Sequence, residues 1–137
     1  PEVLVGEPSP HPPTRLVVIP GGPAALMAPG QATRRLDGSG PLAAVDSDGG
    51  AIQVVGRGDA PSPVAIDGQA ISTSSLPGGG WRAVAMGTGA RQIEVGGRSY
   101  AYPGGVSEQN GVERVGDGWR ISMSTPPTGG QTTWLPD

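Results

Sequence analysis

The chain has no cysteine, no lysine and no phenylalanine, and its single histidine is His11. Each absence removes a class of chemistry. Without cysteine there are no disulfides and no thiolate nucleophile. Without lysine there is neither a Walker-type phosphate lysine nor a Schiff-base nucleophile. One histidine set among prolines cannot be held beside a serine as a Ser-His-Asp triad requires, and zinc sites need several His or Cys ligands. Carboxylate-pair catalysis stays open on numbers, with twelve Asp and Glu, yet most of these fall at turn positions where the side chain caps local backbone. The expectation is a protein that is not an enzyme and uses no metal or cofactor.

Positive charge is scarce too. Nine arginines face twelve acidic residues, for a net charge of −3 and a pI near 5.0. That leaves no electrostatic footprint for nucleic acid or anionic lipid. No apolar run approaches the length needed to span a bilayer as a helix. Neither a nucleic-acid nor a membrane partner is expected. Helix is nearly excluded as well: the longest stretch free of glycine and proline is Gln69 to Leu76, shorter than an average helix of about eleven residues.

What is present is turn chemistry and short apolar runs. There are 25 glycines and 16 prolines, about 30% of the chain, against 13 Val, 7 Leu and 6 Ile. Such a composition lies near the border of disorder. Low net charge and regular alternation of apolar residues argue for a folded domain with a thin core. A thin core calls for outside support, from subunit contacts or from docking on a larger body.

The clearest local signal is Arg91 to Tyr102. Gly96-Gly97 supplies the positive φ that a two-residue hairpin loop demands. That turn sets Val95 opposite Arg98, Ile93 opposite Tyr100 and Arg91 opposite Tyr102. Ile93, Val95, Tyr100 and Tyr102 then share one face, and Gln92, Glu94 and Ser99 the other. Asp67-Gly68 predicts a second hairpin with Val64 facing Ile71, and Gly116-Asp117-Gly118 a third. In the last, Trp119, Ile121 and Met123 alternate with Arg120, Ser122 and Ser124, as in a half-buried strand. Further strands are expected at Thr14 to Ile19, Ala24 to Ala28, Ala32 to Leu36, Leu42 to Val45, Ala51 to Arg57, Trp81 to Met86 and Gln131 to Leu135. Turns recurring every eight to twelve residues predict an all-β domain, a small sandwich or barrel built of hairpins, over residues 14–137. Pro77 to Gly80 is a candidate sub-boundary within it.

Residues 1–13 read differently. Val3, Leu4 and Val5 form a short apolar strand. Pro8, Pro10, Pro12 and Pro13 then enforce an extended, polyproline-like arm, because proline fixes φ and lacks a donor. The arm suits laying an ordered segment on a neighbour at low entropic cost. Pro1 followed by no charged-then-apolar leader predicts synthesis in the cytoplasm without export.

Four further signals are weaker. Asp46-Ser47-Asp48-Gly49 spaces two carboxylates as calcium loops do, but it lacks the later ligands and reads better as a turn. Arg57-Gly58-Asp59 matches an adhesion tripeptide, but three residues are a very weak match and Gly-Asp after a strand reads as an ordinary turn. Arg34-Arg35 reads as a solvated face or a subunit salt bridge. Trp81, Trp119 and Trp134 are candidate surface aromatics that would stack on a glycan; with no Phe in the chain, core filling is the favoured role.

Two functions follow. The first is a structural protein of a virion or bacteriophage-like particle, such as a capsid decoration, fibre or tail component. It would act on the particle surface by contact with identical subunits or with a larger shell or tail. The alternative is an extracellular carbohydrate- or cell-wall-binding module of a larger secreted protein, with the proline arm as linker.

Overall fold

The computed structural model describes residues 15–27, 32–37, 41–47, 50–58, 64–76, 79–87, 89, 91–104, 111–124 and 130–136. The arm at 1–13 lies outside them. The described residues hold fourteen strands and no helix. In chain order these are β1 Arg15–Val18, β2 Ala24–Met27, β3 Arg34–Arg35, β4 Leu42–Ser47, β5 Ala51–Gly56, β6 Val64–Ile66 and β7 Gln69–Ala70. They continue with β8 Ser74–Ser75, β9 Trp81–Met86, β10 Arg91–Val95, β11 Arg98–Tyr102, β12 Gly111–Val115, β13 Gly118–Ser124 and β14 Gly130–Pro136.

All pairings are antiparallel and form three sheets. A seven-stranded sheet runs β12-β13-β14-β4-β5-β9-β8, a four-stranded sheet β11-β10-β6-β7, and a three-stranded sheet β1-β2-β3. The simple sandwich or barrel expected from the sequence is thus a stack of three sheets. The seven-stranded sheet is the middle layer, with an apolar cluster on each face. Val45, Ile52, Val54, Trp81 and Trp134 meet Val64, Ile66, Ile93, Val95, Tyr100 and Tyr102 of the four-stranded sheet. On the opposite face Ala44, Val55, Ile121 and Leu135 meet Ile19, Ala25 and Met27 of the three-stranded sheet. Covering on both faces explains why every residue of β4 is buried.

The predicted hairpins form with the expected registers. Ile93 pairs with Tyr100 and Val95 with Arg98 around Gly96 and Gly97, both at positive φ. Asp67 (φ 53°) and Gly68 (φ 82°) make a type I′ loop, and the Ile71 N–H donates to Val64 O at 2.9 Å. The two hairpins then join edge to edge, Ile93 beside Ile66 and Val95 beside Val64. In the third hairpin the loop is Gly116-Asp117, and Gly118 is the first residue of β13. A Cβ at Gly118 would come within 2.5 Å of Leu135 O, so the close approach of β14 requires glycine there.

β13 departs from the half-buried pattern. Arg120 and Ser122 are buried along with Ile121, because this strand too is covered on both faces. Arg120 donates to Glu113 at 3.1 Å and to Gly104 O at 2.9 Å, which pairs its charge under the end of β11, with Nε left unbonded among the described residues. The candidate sub-boundary is spanned by a ladder: β5 and β9, on either side of 77–80, pair over six residues. Leu76 N–H and Gly80 O close that connection at 3.0 Å.

Candidate functional site

The three-stranded sheet carries the most distinctive surface of the protein. Its residues alternate strictly. Val17, Ile19, Ala25, Met27, Thr33 and Arg35 turn toward the seven-stranded sheet. The other set points outward, yet apart from Arg34 it is also apolar. Leu16 lies opposite Leu26 and Val18 opposite Ala24. Leu36 reaches the same group, since its N–H donates to Ala24 O at 2.8 Å. Leu16 and Val18 are each 62% exposed and Leu36 50%. Clustered exposed aliphatic side chains on one sheet face mark a contact surface; scattered ones do not.

What sits beneath that face is polar. Asp46, expected in a turn, is a mid-strand residue of β4 with 6% exposure. Its carboxylate accepts from Thr33 N–H at 2.8 Å, from Thr133 Oγ1 at 2.6 Å and from Thr33 Oγ1. Burial pushes the Asp46 carboxyl above the ordinary aspartate value, and the threonine donors oppose that rise. The carboxylate oxygens are thus taken by threonines of two different sheets, while Asp48 lies outside the described residues. Arg35 makes the second tie. It donates to Asp37 at 3.0 Å, to Ala43 O at 3.2 Å and to Pro136 O. Its side chain is 7% exposed, so Arg35 is an internal strut where a solvated face or subunit bridge was expected. Arg34 does face solvent. Asp37 also accepts from Ala24 N–H at 3.0 Å. Burial works against its ionisation, but Arg35 and the Ala24 amide outweigh this and hold its carboxyl below the ordinary value.

The three tryptophans form no platform. Trp81 and Trp134 are 1% exposed. Trp134 packs edge-on against Tyr102 at 5.7 Å and donates to Val115 O at 3.2 Å. Trp81 fills the space left by Gly56, where a Cβ would fall 1.9 Å from the indole. Trp119 is half-buried, with the Arg114 guanidinium 5.5 Å over its ring. Burial pushes the Tyr102 hydroxyl up to about 12. The core role follows from composition alone, since these rings replace the missing phenylalanines.

The arm residues Val3, Leu4, Val5, Pro8, Pro10, Pro12 and Pro13 lie outside the described residues, as does Asp59 of the Arg-Gly-Asp tripeptide. Sequence reasoning missed the outer face formed by Leu16, Val18 and Leu36. The continuous run Leu16 to Ile19 carries no alternation that would reveal which residues face outward. No protein-family model, curated protein or solved structure matches the chain.

Proposed function

We propose that the protein is a non-enzymatic structural component of a virion or phage-like particle that works by protein–protein assembly. The observation carrying this is the apolar outer face of the three-stranded sheet, with Leu16 and Val18 both 62% exposed on a sheet-edge strand. Burying such a face on a neighbour yields roughly 25 cal/mol per Å² of apolar area, and association raises apparent stability by mass action. The particle setting is supported by the sequence: an all-β chain without lysine, with one histidine and no cysteine, joined to an extended arm. With Trp81 and Trp134 buried, the described residues offer little for glycan stacking, which weakens the binding-module alternative.

The test is the mass and binding of the full chain beside a chain lacking residues 1–13. Assembly predicts that the full chain forms oligomers or binds a particle, and that the shortened chain keeps its β spectrum while losing that association. A stable monomer that ignores other proteins and binds a glycan would replace this function with the binding module.

A further inference from the structure

The outer face ends at a free backbone edge, and that edge is self-complementary. Ile19 N–H donates to Pro23 O at 3.0 Å, so Ile19 directs its polar backbone atoms toward β2. By the alternation of an antiparallel ladder Val17 does the same. Leu16 and Val18 therefore direct their N–H and C=O groups away from β2, to the side where, among the described residues, β1 has no neighbouring strand. Two residues with open backbone groups, two apart and flanking a central Val17, are what a two-fold axis needs.

Most of the other sheet edges among the described residues are protected, as exposed edges usually are. β3, β7 and β8 are two residues long. β11 carries Arg98 and β12 carries Glu113 and Arg114. The stretch of β9 beyond β8, Ala83 to Met86, is also uncharged, with Val84 and Met86 exposed, but the Arg91 guanidinium lies over its end and takes the Met86 carbonyl. From Leu16 to Ile19 the β1 edge has no charge, no proline and no glycine.

We propose that two copies of this chain join through β1, antiparallel about a two-fold at Val17, into one continuous six-stranded sheet. The pairing rests on the assembly role above and names its partner: a second copy. Leu16 faces Val18 of the partner subunit, and Val18 faces Leu16 of the partner subunit. Each such pair exchanges two backbone hydrogen bonds, so all four open groups on each copy are satisfied. The apolar outer faces become one surface running across the axis. Charge permits this register, because Arg15 falls opposite Ile19 of the partner subunit and no like charges meet. The ladder ends by itself, because the next position brings Pro20, which has no N–H, against residue 14.

Val17 faces Val17 of the partner subunit in a non-hydrogen-bonded pair, where Cα atoms lie about 4.5 Å apart, within the range of about 4.4–6.8 Å that a disulfide spans. The chain has no cysteine of its own, so an introduced thiol reports this register alone. Full-length protein at tens of micromolar is expected to show twice the 13.7 kDa chain mass by light scattering. Under mild oxidation Val17→Cys is expected to cross-link most chains into dimers. Val18→Cys, although that position is the more exposed, is expected to cross-link at least about tenfold more slowly. Leu16→Arg alone should weaken the dimer at least about tenfold, and adding Val18→Glu in the same chain should restore it, with circular dichroism confirming that each variant is folded. Association without a Val17→Cys preference overturns this pairing while leaving the assembly role standing. A folded protein of single-chain mass at every concentration overturns the pairing as well, and if it also binds no other protein, the assembly role falls with it.

Discussion

The two sheets that flank the seven-stranded layer are built on opposite plans. The four-stranded sheet turns large side chains inward, with Ile66, Ile93, Val95, Tyr100 and Tyr102 all buried. Its outer residues Gln92 and Ser99 are exposed, polar and hydrogen-bonded to each other at 3.3 Å. The three-stranded sheet turns fewer apolar groups inward, Ile19, Ala25 and Met27 among them, and adds the Asp46–Thr33–Thr133 knot and the Arg35 strut. Its outer residues Leu16, Val18 and Leu36 are aliphatic. The first sheet is fixed by apolar area and finished toward water. The second is fixed in large part by directional polar contacts and left unfinished toward water. A sheet held by hydrogen bonds can keep its orientation while its apolar residues stay available to another molecule.

Four substitutions separate these plans. The largest effect is expected from Ile93→Asp, which puts an unpaired charge into the fully buried face of the four-stranded sheet. The loss should be several kcal/mol, comparable with the whole stability of a small domain, and thermal melting should show no cooperative transition. An unchanged melting temperature would refute the assigned face.

Next comes Gly56→Ala. The added Cβ would overlap the Trp81 indole across the β5–β9 ladder, and overpacking of this kind costs about 1–3 kcal/mol. Denaturant unfolding should show the loss, and a neutral result would mean that the indole moves freely.

Asp46→Asn tests the polar plan. An amide cannot accept from Thr33 N–H, Thr33 Oγ1 and Thr133 Oγ1 as the carboxylate does, and a buried donor left unpaired costs about 1–3 kcal/mol. Because part of that cost is recovered by removing a buried charge, the net effect on global stability should be near or below the lower figure. Hydrogen exchange should quicken in β1–β3 and stay unchanged in β6, β10 and β11. The same variant carries a pH signature. The folded carboxyl binds its proton more tightly than the unfolded one, whose value is near 3.8. Its contribution is therefore fully present below 3.8 and is lost as pH rises through the higher folded value. Asp46→Asn should remove that decline; a pH profile identical to that of the parent would contradict it.

The smallest effect is expected from Val18→Ser. At concentrations low enough to keep chains apart, its unfolding free energy should stay within about 0.5 kcal/mol of the parent, since the side chain is already in water. A larger loss in dilute solution would mean that the outer face supports the single chain.

How much of this was legible in the sequence varied with distance along the chain. The Gly96-Gly97 hairpin was readable to the residue, because a two-residue loop leaves one register open and Ile93, Val95, Tyr100 and Tyr102 agree with it. The burial of Trp81 and Trp134 was readable because a chain without Phe must fill its interior with what it has. Asp46 was not. Its partners Thr33 and Thr133 are 13 and 87 residues away, and beside Ser47 and Asp48 it resembles any turn aspartate. The layered arrangement was equally hidden. Turn chemistry fixes each hairpin but not which hairpins share a sheet, so β13, covered on both faces, looked like a strand with one wet side.

The position of β14 has a consequence for how the chain reaches this state. It is the last strand in sequence but third in its sheet, hydrogen-bonded to β13 on one side and β4 on the other. Until it is in place, β12 and β13 have no ladder to β4, β5 and β9, and the middle layer exists only as two separate ribbons. Trp134 and Leu135 are missing from both apolar clusters for the same interval. Joining Trp134 to Val45 closes a loop through most of the chain, the kind of non-local step that sets folding times of milliseconds to seconds. During synthesis on a ribosome the earlier strands must wait, with apolar edges unpaired, until residues 130–136 have emerged.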